Sequence, residues 1–272
     1  MNYRHAFHAG NHADVFKHAA LTLVLTQLLS KPAPFAVLDT HAGAGVYDLT
    51  SDDARRTGEA AEGVGRVFGH PLPAAPAYTA ALAAANPDGL AAYPGSPEIV
   101  RGLLREQDRL ICCELHPAEA AALKARYRSD ARVAVHHRDG YEAVGALLPP
   151  AERRGLVLID PPFEAADETQ RLIAALATGL RRWPTGIFMA WYPVKDGRIG
   201  AALANAATAW PKALQAEFLP YRQDGVRMAG GGLLVVNAPW KLDEQLAELA
   251  RELVRLMSDG QGTWRVELLT PP

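Results

Sequence analysis

The stretch LVLIDPPFE brings a carboxylate, Asp160, to the end of an apolar run, Leu156 to Ile159. Pro161, Pro162 and Phe163 follow it. Neither proline can donate a backbone hydrogen bond, and both fix φ. The turn therefore presents acceptors only: the Asp160 carboxylate and a backbone carbonyl, best that of Pro161. Two acceptors beside an aromatic ring suit a planar amine such as N6 of adenine. They hold its two N–H bonds, draw the nitrogen towards a tetrahedral shape and free its lone pair, while Phe163 stacks on the base. The plain alternative is a Pro-rich exit from a strand.

Three further strand ends carry polar groups. In LDTHAGAG, Asp39 and His41 precede Gly43 and Gly45. Such glycines let a ligand approach the backbone, but many turns are Gly-rich for packing alone. In ICCELHP, Glu114 can accept from both hydroxyls of a ribose, or simply sit at a helix N-terminus. In HHRDGYE, Asp139 can accept from an adenine amine, or simply shape an Asp-Gly turn.

The N-terminal run YRHAFHAGNHADVFKH holds four of the nine histidines. His8 and His12 have the i, i+4 spacing of zinc ligands on a helix. No cysteine or carboxylate constellation joins them, so no metal is expected. Surface and capping roles account for His5 and others in the run.

These groups need a scaffold. Val15, Ala19, Leu23 and Leu29, with Leu25 and Leu28 beside them, predict a helix over 12–30. FAVLDT reads as the first strand. From there strands and helices alternate: RLICCEL, ARVAVHH, GLVLIDPPF and GIFMAWYPV as strands, with helical patterns between them. LQAEFLPY and GGLLVVNAPW form a closing antiparallel pair, and a last helix covers about 241–257. Near-continuous apolar strands imply a mostly parallel sheet covered on both faces, with ligands at its carboxyl edge. Residues 46–97, rich in Ala, Gly and Pro, read as a helical insertion too long for a loop. The expected division is 1–45 for the first helix and strand, 46–97 for the insertion and 98–272 for the rest of the α/β domain.

The chain has 272 residues and a net charge of -2, so a nucleic acid would meet a local basic patch, not a global field. Candidate phosphate contacts are Arg55, Arg56, Arg101, Arg105, Arg153, Arg154, Arg181, Arg182, Arg222 and Arg227. YRQDGVRMAGGG is Gly-rich and basic, a candidate substrate loop or an ordinary long turn. The two cysteines, Cys112 and Cys113, are adjacent and give no disulfide framework. With neither a signal peptide nor a membrane span evident, a soluble cytoplasmic protein is expected, with no obligate protein partner.

Asp-Pro-Pro-aromatic resembles the catalytic motif of S-adenosylmethionine-dependent amino methyltransferases. Together with YRHAFHAGNHADVFKH, LDTHAGAG, YPGSP and ELHP, it resembles the RlmJ family over essentially the whole chain. The resemblance implies a Rossmann-like class I methyltransferase sheet, mostly parallel with the last strand antiparallel, carrying a small helical insertion. It implies N6 methylation of one adenine in 23S ribosomal RNA. Asp160 would accept from the target amine and border the methyl donor. His18, His41, Ser96, Glu114, Asp139 and Gly140 would line the donor site, with Gly43 in the Gly-rich turn. Tyr3 would touch RNA, within a substrate-facing segment from Tyr3 through Arg4 and His5 to about His8. Phe163 stands where tyrosine is commoner, so stacking survives and a phenol hydrogen bond does not. DNA adenine methylation uses the same chemistry, and a non-catalytic RNA-binding module would need no donor site. A nicotinamide dehydrogenase fits worse: Glu114 lies far beyond the expected distance from the glycines, and DPPF would have no role.

Overall fold

The computed structural model describes residues 7–225 and 227–270, the Asp53 side chain excepted. Tyr3, Arg4 and His5 lie outside these residues. The first helix, α1 (His12–Leu29), starts where the Asn11 side chain accepts from the backbone N–H groups of Ala13 and Asp14. It leads to β1 (Ala36–Asp39). The stretch read above as an insertion then holds β2 (Val46–Asp48), α2 (Asp52–Thr57), α3 (Glu59–Glu62), α4 (Pro76–Ala85) and β3 (Ala92–Pro94). The chain continues through α5 (Ser96–Leu103), β4 (Arg109–Glu114), α6 (Pro117–Tyr127), β5 (Val133–His137), α7 (Gly140–Leu147), β6 (Gly155–Ile159) and α8 (Glu168–Arg182). It ends in β7 (Ile187–Val194), α9 (Arg198–Ala207), β8 (Leu214–Leu219), β9 (Gly230–Val236), α10 (Leu242–Met257) and β10 (Thr263–Leu268).

The main sheet has the order β10-β8-β9-β7-β6-β1-β4-β5. β5, β4, β1, β6 and β7 are parallel; β9 runs antiparallel to β7 and β8, and β10 antiparallel to β8. The chain winds from β1 outward to β5, then returns to β6 on the other side. The crevice between β1 and β6 is thus the topological switch point, where such sheets bind ligands. β1 and β6 are buried at every position, as a sheet covered on both faces requires.

Three features depart from the sequence reading. β10 is an edge strand whose half-exposed Trp264 and Val266 alternate with charged neighbours. β2 and β3 form a small antiparallel ladder, Tyr47 opposite Tyr93, that closes the inserted stretch. Its strands are too short to show a period. The third is α1, which is buried around most of its circumference, by α4, α5, α10 and β9. Five of its polar side chains, His12, Asp14, Lys17, His18 and Thr22, are consequently buried too. Val64, Leu72, Tyr78 and Leu82 of the inserted stretch share one core with α1. Among the described residues no helix is long and apolar enough to cross a membrane.

Candidate active site

A cleft of about 1140 Å³ opens at the carboxyl edge of β1, β4 and β6. The start of α1 forms one wall, and the β8–β9 loop, through Tyr221, Arg222 and Arg227, another. His18, His41, Gly43, Ser96, Glu114, Asp139, Gly140, Asp160, Pro161 and Phe163 all line it.

At one end, β6 delivers Asp160 into an ion-pair chain. Lys17 Nζ lies 2.5 Å from Asp160 Oδ2 and 2.7 Å from Asp14 Oδ1. The Lys17 and Asp14 side chains are each 4% exposed. Burial opposes the charge on Lys17, but the two carboxylates outweigh it and hold its pKa above the ordinary lysine range. Asp14 is fixed in turn by the backbone N–H of Gly10. One oxygen of Asp160 is thereby occupied, and the carboxylate is oriented. Sequence reasoning passed over Lys17 in favour of the histidines around it. The available signal was an Asp and a Lys three residues apart inside an apolar helix.

Phe163 adopts φ 51°, a left-handed conformation unusual for an aromatic residue. This turns its ring edge-on to Trp191 of β7, with centroids 5.9 Å apart. Lys17 Nζ in turn sits 5.7 Å from the Trp191 ring centroid. Asp160, Lys17, Phe163 and Trp191 thus form one corner of the cleft.

At the other end, both acidic residues are already engaged. Glu114 accepts from the backbone N–H groups of Gly43 and His116, each at 2.7 Å. Asp139 caps α7 by accepting from Tyr141 and Glu142, while Arg171 reaches its second oxygen at 3.2 Å. These structural bonds leave capacity for a ligand, because each carboxylate oxygen has a second lone pair and both residues line the cleft. Gly140 allows close packing: a Cβ there would fall 2.1 Å from the Thr40 carbonyl oxygen. Burial lowers the pKa of His41, whose Nδ1 meets the Thr40 hydroxyl at 2.8 Å. Asp39 is fully buried, and neither oxygen has a hydrogen-bond partner among the described residues. Burial pushes its pKa up to about 7, against the opposing pull of the nearby Ser96 hydroxyl and His41 backbone.

The histidine run divides into separate environments. His8 precedes α1, so the helical i, i+4 geometry with His12 is absent; its Nδ1 bonds Glu59 at 2.9 Å. His12 packs edge-on to Tyr221, and burial lowers its pKa to about 4. His18 Nδ1 meets the Tyr93 hydroxyl. Among the described residues no group of three or more His, Cys, Asp or Glu is arranged to hold a metal.

Most of the candidate arginines are far from this cleft. Arg105 precedes β4, and Arg153 and Arg154 precede β6, so all three lie at the sheet's amino edge. Arg105 binds the carbonyls of Lys31 and Ala33, and Arg154 binds those of Leu28 and Ala33. Arg181 and Arg182 end α8 at the same edge, where Arg182 bonds the Leu148 carbonyl. Arg101 is held by Glu98 of its own helix. These six residues serve the fold or face the wrong edge. Arg222 and Arg227 line the cleft, and exposed Arg55 and Arg56 end α2 beside its lining residues Thr57 and Gly58. Arg171 and Lys195 also line it, and no sequence motif marks them.

The sequence and the fold match known proteins. Residues 32–270 match the family described as "Ribosomal RNA large subunit methyltransferase D, RlmJ". The chain is 42% identical to Ribosomal RNA large subunit methyltransferase J of Escherichia coli, over 100% of this chain and 99% of that one. It is 42% identical to the protein of that name from Haemophilus influenzae, with the same coverage. The crystal structure of protein LPL1258 from Legionella pneumophila superposes with a TM-score of 0.89 at 32% identity, covering 96% of this chain and 98% of that one. A probable spermidine synthase from Corynebacterium glutamicum, TM-score 0.51 at 14% identity, covers 94% of this chain and 75% of that one and shares the fold alone. The chain belongs to the RlmJ family of ribosomal RNA methyltransferases.

Proposed function

We propose that the cleft transfers a methyl group from S-adenosylmethionine to N6 of one unstacked adenine in 23S ribosomal RNA. The chain is an rRNA methyltransferase by family, and its relatives are named for large-subunit RNA. The observation that carries the finer reading is the oriented Asp160 carboxylate beside two prolines and Phe163, held by buried Lys17.

The residues fit the cofactor. Glu114 can accept from ribose hydroxyls, and Leu115, exposed at the cleft, offers an apolar surface for a base. Asp39, buried behind the cleft lining with neither oxygen hydrogen-bonded among the described residues, suits the cationic amino-acid end of the donor. When bound, S-adenosylmethionine supplies an electrophilic methyl group on a sulfonium centre. Asp160 and the Pro161 carbonyl accept the two N–H bonds of the target amine. Asp160 stabilises the positive charge that grows on N6 and takes the proton late, since an aromatic amine is too weak an acid to lose it first. Phe163 stacks on the base. Lys17 keeps the carboxylate aimed. An unpaired or loop adenine is the cheapest to bring into such a corner. The resemblance to the RlmJ family assigns RNA contact to Tyr3, Arg4 and His5, which lie outside the described residues. We assign the protein to the cytoplasm; its two cysteines are free and buried, which suits a reducing compartment.

Methyl incorporation from labelled donor tests this reading. Protein-free 23S RNA is labelled at adenine N6, while 16S RNA and duplex DNA are not. Label in DNA but not in RNA would overturn the substrate assignment.

The basic residues at the cleft give a second expectation. Arg222→Ala and Arg227→Ala each weaken RNA binding and flatten its dependence on log salt by about 0.7 for each phosphate no longer neutralised. Arg154→Ala, at the opposite edge, lowers stability and leaves that slope unchanged. An equal change of slope in all three would show that the RNA is not confined to the cleft side.

A further inference from the structure

The inserted stretch reaches His18, which lines the cleft, through two side chains. Tyr78 on α4 and Tyr93 on β3 are fully buried. Their hydroxyl oxygens lie 3.3 Å apart, and that of Tyr93 lies 2.8 Å from His18 Nδ1. The Tyr93 and His18 rings stack with centroids 5.5 Å apart and planes 29° apart. Burial raises both phenols well above their ordinary range, so both keep their protons.

Those protons can be counted. Among the described residues, the Tyr78 hydroxyl has no hydrogen-bond partner except Tyr93. A buried phenol proton left unpaired is costly. Tyr78 therefore donates to Tyr93, and Tyr93 turns its own proton to His18 Nδ1. The reverse order, with Nδ1–H donating to Tyr93, strands one of the two phenol protons. A nitrogen that accepts carries no proton, so the ring proton resides on Nε2.

We propose that Tyr93, with Tyr78 donating to it, is a positioning residue that locks His18 as its Nε2–H tautomer, so that the inserted stretch presets a hydrogen-bond donor in the methyl-donor end of the cleft. The donor assignment rests on the reading given above; the tautomer lock stands independently of it. The inserted stretch then has a task beyond packing. It grips the start of α1 through Glu59, which bonds His8 and Asn11, and it sets the chemistry of His18 further along the same helix.

Nitrogen-15 histidine labelling tests the lock at mildly alkaline pH, with His18→Gln used to identify the signals. The wild-type protein shows one His18 tautomer, protonated at Nε2. Tyr93→Phe keeps the ring stack and removes the hydroxyl. Tyr78→Phe leaves His18 Nδ1 as the acceptor for the Tyr93 proton among the described residues, so it keeps the Nε2–H form. Tyr93→Phe populates the Nδ1–H form and binds S-adenosylhomocysteine about three- to tenfold more weakly by calorimetry. A wild-type Nδ1–H tautomer, or a tautomer unchanged by Tyr93→Phe, overturns the lock. Shifted tautomers with unchanged affinity uphold the lock and overturn the assignment of this end of the cleft to the donor.

Discussion

Asp160→Asn lowers methyl transfer about 10³-fold and changes donor affinity by no more than about threefold. Asparagine keeps the size of the side chain but removes the anion and puts N–H donors where only acceptors serve. The target amine then loses the group that stabilises positive charge on N6 and takes its proton. A 10³-fold drop corresponds to about 4 kcal/mol of transition-state stabilisation, a reasonable share for one oriented charge in a dry site. The fold survives, because Lys17 keeps its bond to Asp14. Single-turnover rates with labelled donor, set beside titration with S-adenosylhomocysteine, separate the two effects. Near-wild-type turnover would remove Asp160 from the chemistry; equal losses of turnover and donor binding would make it a donor ligand instead.

The DPPF corner was legible because its parts are contiguous and follow an apolar strand. The parallel strands were legible for a related reason: a sheet buried on both faces writes itself as uninterrupted apolar runs. Lys17 was not legible, because its partner Asp160 lies 143 residues further along. A helix buried on most sides also blurs the amphipathic pattern that would have marked its polar residues as unusual. The arginines show a different limit. Arg105 and Arg154 are indistinguishable from Arg222 as sequence, yet only the last faces the cleft. Which edge a residue occupies depends on topology, and charge clusters carry no topology. At Glu114 the ligand and structural readings were evenly matched, and at Asp139 a plain Asp-Gly turn stood beside the ligand reading, because the turn geometry serves both. Each caps or braces a loop with the oxygens that also border the cleft.

Lys17→Met separates what the buried cation does for folding from what it does for catalysis. Methionine fills nearly the same volume but leaves Asp14 and Asp160 facing each other across a site with no counter-charge. Breaking a buried ion pair in this way costs about 3–5 kcal/mol, read as a lower midpoint in urea denaturation. The cation's own contribution has a defined pH window. Its pKa is raised in the folded state, so the stabilisation is fully present below the unfolded value near 10.5 and is lost only as pH climbs through the higher folded value. Lys17 therefore keeps its charge at neutral and mildly alkaline pH. Adding Asp14→Asn to Lys17→Met removes one stranded carboxylate. The double variant regains part of the lost stability, a non-additivity expected of groups in direct contact. Turnover does not return with it, because Asp160 still lacks the ammonium that aims it. If the double variant recovered activity along with stability, Lys17 would serve only to neutralise Asp14, and the orientation of Asp160 would have to come from the Pro161–Pro162 turn alone.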